Sequence, residues 1–229
     1  MPTPDPKTAF SDAAGVASYA DRTRRLVPGW DALQAMATLL LAERAPADAH
    51  VLVVGAGGGA ELRAFATAHA GWRFTGVDPS APMLELARAT LGADAGRVDF
   101  HEGVVDSAPA GPFDAASCLL TMHFVPLDQR LPTLREIRRR LEPGAPFVMA
   151  HMSFPQAPGE RDTWLARYVA FASASGVDPE NARRAAEAIG NTLPLLSPDD
   201  EVALLAQAGF SGTRLFYAGF TFRGWVATA

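Results

Sequence analysis

The chain has 229 residues, 48% of them hydrophobic, and a formal net charge of −5. That is enough apolar material for one sizeable core, and the acidic balance argues against a dedicated nucleic-acid surface. Cys118 is the single cysteine, so one chain cannot build a disulfide framework or a cysteine-based metal cluster, and a reducing, cytoplasmic setting is expected.

Residues 1–10 are proline-rich and read as carrying no element; they lack the basic start and apolar core of a secretion signal. No stretch approaches the roughly 20 apolar residues of a membrane span. A short helical segment and a longer one follow, broken at Pro28-Gly29, with Leu33, Met36, Ala37, Leu40 and Leu41 at helical spacing. Five β-like runs then alternate with helices: HVLVVG (50–55), WRFTGVD (72–78), RVDFHEG (97–103), FDAASCLL (113–120) and PFVMAHMSF (146–154). Between them Leu62, Phe65, Ala66 and His69 share one helical face, as do Met83, Leu84, Ala87 and Leu91. Leu127, Leu131, Leu134 and Leu141 mark a third helix, with Arg135, Arg138 and Arg139 outward. Strands alternating with helices imply a parallel sheet covered on both faces.

The rhythm changes after residue 154. Residues 155–196 read as two helices, the second opened by Asp178-Pro179, and Ser197-Pro198 opens another that Gly209 closes. The last stretch, SGTRLFYAGFTFRGWVATA, reads as two strands joined near Gly219, most simply an antiparallel hairpin.

The stretch VLVVGAGGGAEL (51–62) is a buried strand running into glycines and then a helix. Such a turn places backbone N–H groups and a positive helix end at the carboxyl edge of a sheet, where adenosine cofactors bind. Gly55 and Gly57 permit the tight turn and close approach. Asp78 ends the second strand 23 positions beyond Gly55, near the interval at which a carboxylate receives ribose hydroxyls. Tight packing alone accounts for a glycine turn, and an aspartate before Pro79-Ser80 can merely start a helix. By itself the loop also fits a dinucleotide pattern.

Taken in order, the motifs resemble the class I S-adenosylmethionine-dependent methyltransferases. VLVVGAGGGAEL is similar to the family's first motif, FTGVDPSAPMLELAR to its ribose-binding acid and following helix, and FDAASCLLTMHFVP to its fourth-strand motif. LREIRRRLEPGAPFVMAHM resembles the next helix, turn and strand, and the terminal hairpin resembles the family's reversed seventh strand beside the sixth. The resemblance runs from about residue 16 to the C-terminus and is weakest over 155–196. It implies an α/β, Rossmann-like seven-stranded sheet, mostly parallel with an antiparallel C-terminal strand and helices on both faces. Residues 1–229 would form one methyltransferase domain, with an N-terminal helical lid over 1–45 and a helical insertion over 155–196 that shapes the substrate pocket.

Carried over by position, the resemblance implies S-adenosylmethionine as cofactor. Gly55, Ala56 and Gly57 would pass its amino-acid and ribose portion, Asp78 would accept both ribose hydroxyls, and Pro79 and Met83 would flank adenine. Gly103, Val104 and Val105 fall in the loop after the third strand. Members often carry an acid there for the adenine amino group, where this chain has Val104, so apolar and backbone contacts are expected instead. Leu120 and Thr121 would border the methionine portion. R24-R-L-V-P-G-W30 resembles the helical lid of small-molecule branches, including the carboxy-S-adenosylmethionine synthases; there Tyr19, Arg25 or Trp30 would cover the cofactor. The competing reading makes Arg24 and Arg25 a solvated pair and Trp30 a core anchor.

Methyl transfer needs mainly alignment and exclusion of water. If a base is used, His123 is the best-placed imidazole and His151 the second, each weighed against a hydrogen-bonded structural histidine. No metal-ligand spacing is present. Trp164, Tyr168, Phe171, Phe124 and Phe154 are candidates for an aromatic pocket or for ordinary core. The expectation is direct methyl transfer to a small-molecule acceptor, with no nucleic-acid or membrane partner; a homodimer is compatible with the sequence. The alternatives are a carboxy-S-adenosylmethionine synthase-like enzyme and a non-catalytic S-adenosylmethionine-binding sensor or partner protein.

Overall fold

The computed structural model describes residues 19–229; the readings made for residues 1–18 lie outside them. Among the described residues two helices come first, α1 (Tyr19–Leu26) and α2 (Trp30–Ala42), separated at the expected Pro28-Gly29 break. The alternating part then runs β1 (His50–Val54), α3 (Ala60–Ala68), β2 (Arg73–Asp78), α4 (Ala81–Leu91), β3 (Val98–Glu102), β4 (Ala115–Leu119), α5 (Leu127–Arg139) and β5 (Pro146–Met152). Next come α6 (Glu160–Ala174), α7 (Pro179–Thr192), α8 (Pro198–Gln207) and the hairpin β6 (Ser211–Gly219) and β7 (Phe222–Thr228).

All seven strands form one sheet in the order β3-β2-β1-β4-β5-β7-β6. The first five pair in parallel, and β7 inserts antiparallel between β5 and β6. The order reverses at β1, so the carboxyl ends of β1 and β4 flank the crevice where α/β sheets bind ligands.

Alternation along the strands sorts the core into two layers. Val51 and Val53 face one side, packing with Leu33, Ala37 and Leu41 of α2 and with Leu62 and Phe65 of α3. Leu52 and Val54 face the other, with Leu134 and Ile137 of α5 and Leu205 of α8. Both faces are covered, which a parallel sheet of near-continuous apolar strands requires.

Three helices start as their sequences dictate. Ser80 caps α4, Asp178 caps α7, and Ser197 with Asp200 forms a reciprocal capping box on α8. The start of α3 differs, because its cap is Gly59 at φ 71° with no side-chain hydrogen bond. One apolar reading shifts. Leu127, expected on the buried face of α5, is 51% exposed in the first turn, while Arg130 one turn on is fully buried.

Candidate functional site

The start of the glycine loop is pinned to the end of β2 by backbone hydrogen bonds. The N–H groups of Gly55 and Ala56 both donate to the Val77 carbonyl, at 2.8 and 3.0 Å. Gly55 has φ 81°, and a β-carbon on it would fall 1.8 Å from Thr121 Oγ1. Glycine is therefore required twice over, by conformation and by the approach of the β4 end.

Gly57 donates its N–H to Asp78 Oδ2 at 3.0 Å, and a β-carbon there would meet that same oxygen at 2.6 Å and Met83 Cβ at 2.9 Å. Asp78 Oδ1 accepts the Ser80 N–H at 2.9 Å. The carboxylate is thus oriented by two backbone donors, one from the loop and one from the start of α4. Partial burial pushes its pKa up while the two N–H bonds pull it down. Its backbone carbonyl accepts the Gly103 N–H at 3.0 Å, tying in the loop after β3. Tyr19 completes this side: a β-carbon on Gly58 would strike its ring at 2.9 Å. Burial, Glu61 and Asp78 raise the Tyr19 phenol to about 12.

The carboxyl end of β4 closes the other side. Leu120 adopts φ 56°, a strained conformation for a branched residue, and donates its N–H to Ala150 at 2.5 Å. Thr121 follows, its hydroxyl donating to the Leu119 carbonyl at 3.0 Å.

Gly55, Gly57, Asp78, Met83, Gly103, Thr121 and Tyr19 are thereby brought to one edge. Pro79 lies exposed beside them, and Val104 is 57% exposed, an apolar side chain open at the rim. The Ala56 methyl faces inward, where a β-carbon on Gly76 would meet it at 3.1 Å, and Val105 packs into the opposite core layer. Exposed Arg25 sits apart: a β-carbon on Gly176, in the turn between α6 and α7, would lie 3.8 Å from its Nη1. Arg24 pairs with Asp31 at the surface and Trp30 is buried.

The two histidines are interior. His123 is 5% exposed, its ring centroid 4.1 Å from that of Phe124 and 6.1 Å from that of His151. Its Nδ1 accepts the Met152 N–H at a long 3.4 Å, which leaves the neutral ring's proton on Nε2. Burial, His151 and Arg130 hold its pKa well below the usual range. His151 is fully buried, with Nδ1 3.0 Å from the Met152 carbonyl and Nε2 3.4 Å from Glu201 Oε2. With Nδ1–H donating to that carbonyl, Nε2 and Oε2 attract each other only if one of them carries a proton.

Behind them lies an ion pair that sequence reasoning missed. Arg130 Nη1 donates to Glu201 Oε1 at 2.7 Å, both side chains having no exposure, and its other nitrogens donate to the carbonyls of Val125 and Pro194. Glu61, also missed, is buried beneath the glycine loop and accepts the Ser117 hydroxyl at 2.9 Å. The signal was present: Glu61 precedes Phe65, Arg130 precedes Leu134 and Glu201 precedes Leu205 by four positions, placing each charge on an apolar helical stripe.

At the carboxyl end of β5, α6 leans on the β6–β7 turn. Trp164 is flanked by the guanidinium groups of Arg167 and Arg223 at 4.4 and 5.0 Å, and Phe171 contacts Phe220. Tyr168 and Phe154 are core residues. A groove of about 500 Å³ between α6 and α7, lined by Arg161, Leu165 and Glu187 among others, shares no residue with the glycine loop.

Residues 51–144 match the family model described as a methyltransferase domain, a span that holds the loop, Asp78 and the β4 end. These residues are similar to a methyltransferase domain, and the fold is that of the class I S-adenosylmethionine-dependent methyltransferases. The chain is 29% identical over 94% of its length, and 82% of the other's, to a carboxy-S-adenosyl-L-methionine synthase of Chromohalobacter salexigens. It superimposes on an S-adenosylmethionine-dependent methyltransferase from Aquifex aeolicus with a TM-score of 0.63 at 18% identity, covering 95% of this chain and 98% of that one. Human N-acetylserotonin methyltransferase in complex with S-adenosylmethionine superimposes with a TM-score of 0.57 at 16% identity; 93% of this chain is covered, but only 58% of the human chain. These similarities support an enzyme of a fold whose members use S-adenosylmethionine. Its residues fit that group, since side chains at Gly55 and Gly57 would fill the cradle and Asp78 presents an oriented carboxylate to hydroxyl donors.

Among the described residues no helix is long and apolar enough to cross a membrane, and no group of histidine, cysteine and acidic side chains is arranged to hold a metal ion.

Proposed function

We propose that the enzyme transfers a one-carbon group from S-adenosylmethionine to a small-molecule acceptor, with Gly55–Gly57 and Asp78 holding the cofactor and Leu120–Thr121 bordering its reactive end. The observation that carries this reading is the double anchoring of Asp78, from the loop by Gly57 and from α4 by Ser80. The sulfonium supplies an already activated methyl, so the chain's task is alignment and exclusion of water. Trp164, Phe171 and Phe220 lie where α6 meets the β6–β7 turn, and Phe124 follows the carboxyl end of β4, which supports an aromatic acceptor pocket roofed by residues 155–196. In this reading residues 1–45 form the other wall, with Tyr19 over the loop and Arg25 reaching toward the insertion.

His123 enters as the proposed base, provided its Nδ1 releases the Met152 amide; His151, enclosed by Glu201 and Trp225, supports it from behind. Replacing His123 with asparagine then lowers kcat by about 10²-fold or more with cofactor affinity unchanged. Equal loss of stability and activity would assign His123 to packing.

A second reading, synthesis of a carboxylated cofactor, is favoured by the similarity over nearly the whole chain to proteins named carboxy-S-adenosyl-L-methionine synthase. Mass spectrometry of turnover mixtures containing S-adenosylmethionine and a panel of small hydroxyl, amine and carboxylate compounds separates the two. S-adenosylhomocysteine with a methylated acceptor supports methyl transfer, and a cofactor enlarged by a carboxyl group supports the second reading. Saturable binding with neither product would make the chain a sensor or partner protein.

A further inference from the structure

Glu61 has no role in the account so far, and its placement is costly. It is the second residue of α3, in the first turn after the Gly59 cap, and it is 7% exposed. One carboxyl oxygen accepts the Ser117 hydroxyl at 2.9 Å. Ser117 lies on β4 opposite Val53 of β1, so the carboxyl sits under the two strands whose ends carry the glycine loop and Leu120–Thr121. The groups that act on it electrostatically are Asp78 from β2, Tyr19 from α1 and Cys118 from β4. None of these is a cation, and among the described residues no arginine, lysine or histidine pairs with it.

A buried carboxylate with a like charge nearby and no counter-ion is strongly disfavoured. Burial and Asp78 accordingly raise Glu61 to about 8, against the pull of the Ser117 bond. A plain structural link between α3 and β4 needs no acid, because an amide would accept the same hydroxyl. An acid held neutral beside a site for a positively charged ligand can instead ionise when that ligand arrives.

We propose that Glu61 is the counter-charge for the cationic methionyl portion of S-adenosylmethionine: it is protonated in the free enzyme and gives up its proton as the cofactor binds. The inference rests on the assignment of the glycine loop as the cofactor site. Ionised Glu61 opposes the charge of the sulfonium or of the α-ammonium group beside it, and the released proton passes to buffer. Glu61 is thus a specificity-determining residue that favours a cationic ligand over a neutral adenosine compound.

The test is calorimetric titration at pH 7 in buffers of different ionisation enthalpy, with S-adenosylmethionine, S-adenosylhomocysteine and adenosine as ligands, on the wild type and Glu61→Gln. The expected result is that wild type releases about one proton more per S-adenosylmethionine bound than Glu61→Gln does. The variant should also bind S-adenosylmethionine on the order of tenfold or more weakly, with adenosine affinity unchanged. A matching loss for S-adenosylhomocysteine places the α-ammonium against Glu61, and an unchanged one places the sulfonium there; both support the proposal. Equal proton counts and equal affinities in the two proteins overturn it. Wild type that releases no proton overturns it too, without reference to the variant's folding. Failure of wild type to bind any of the three would instead sink the cofactor-site assignment itself.

Discussion

The two halves of the sheet handle charge in opposite ways. On the β1–β2 side, Asp78 and Glu61 lie close together with no cation paired to either among the described residues, and backbone N–H groups and a serine hydroxyl hold them. On the β5 side, Glu201 is paired with Arg130 inside the protein and neighbours His151, with no exposure for any of the three. The first arrangement has an acid with no counter-ion and suits a ligand that supplies the positive charge. The second is complete in itself and fixes α5, α8 and the segment at Pro194 to β5. Under the proposed assignment these buried acids serve different ends, one binding and one architectural.

The largest effect should come from the architectural side. Glu201→Ala leaves Arg130 buried and unpaired, and is expected to cost about 3–5 kcal/mol in urea unfolding. Replacing Arg130 and Glu201 together with apolar residues should restore most of it. A loss of cofactor affinity with unchanged stability would break the contrast. Gly55→Ala comes next: strain at φ 81° and the approach to Thr121 should cost roughly 2–4 kcal/mol, read as lower unfolding free energy or as lost cofactor binding.

Asp78→Ala is expected to weaken S-adenosylmethionine binding by about 1.5–3 kcal/mol while the unfolding midpoint stays near that of wild type. Unchanged affinity would remove Asp78 from the site.

The smallest effect is the sharpest. Glu61 has its folded pKa at about 8, above its ordinary value of 4.5, so in that interval the folded protein keeps a proton that the unfolded chain has lost. Stability from this group falls as pH rises, by about 1.4 kcal/mol per unit, and levels off above about 8. The depressed pKa of His123 acts in the other direction, removing stability only as pH falls below its ordinary 6.5. Between pH 6.5 and 8 the wild-type slope should therefore exceed that of Glu61→Gln. Identical slopes would mean that Glu61 is ionised in the fold.

The same contrast explains what could be read from the sequence. The glycine turn and its contact with Asp78 were legible because their parts are close in the chain and chemically distinctive. Glycines need their positive φ, and Asp78 meets Gly57 only 21 positions away. The strand alternation and the antiparallel hairpin were legible for the same local reasons. The partnership of Arg130 with Glu201 spans 71 positions, and nothing in either helix names its mate. Burial of Arg130 with exposure of Leu127 also inverts the usual assignment of polarity to faces, which spacing alone resolves only once the charge is allowed onto the apolar stripe. Glu61 was hidden because it sits inside a motif whose glycines draw the eye, and its meaning depends on Ser117, 56 positions later.

The central claim is that the loop and Asp78 hold S-adenosylmethionine. Its most direct test is a calorimetric titration of the wild type and Asp78→Ala with S-adenosylmethionine, S-adenosylhomocysteine and NADH. The account predicts saturable binding of the first two to the wild type, a tenfold or greater loss in the variant, and no heat from NADH. Binding of NADH alone, or equal affinities in the two proteins, would contradict it.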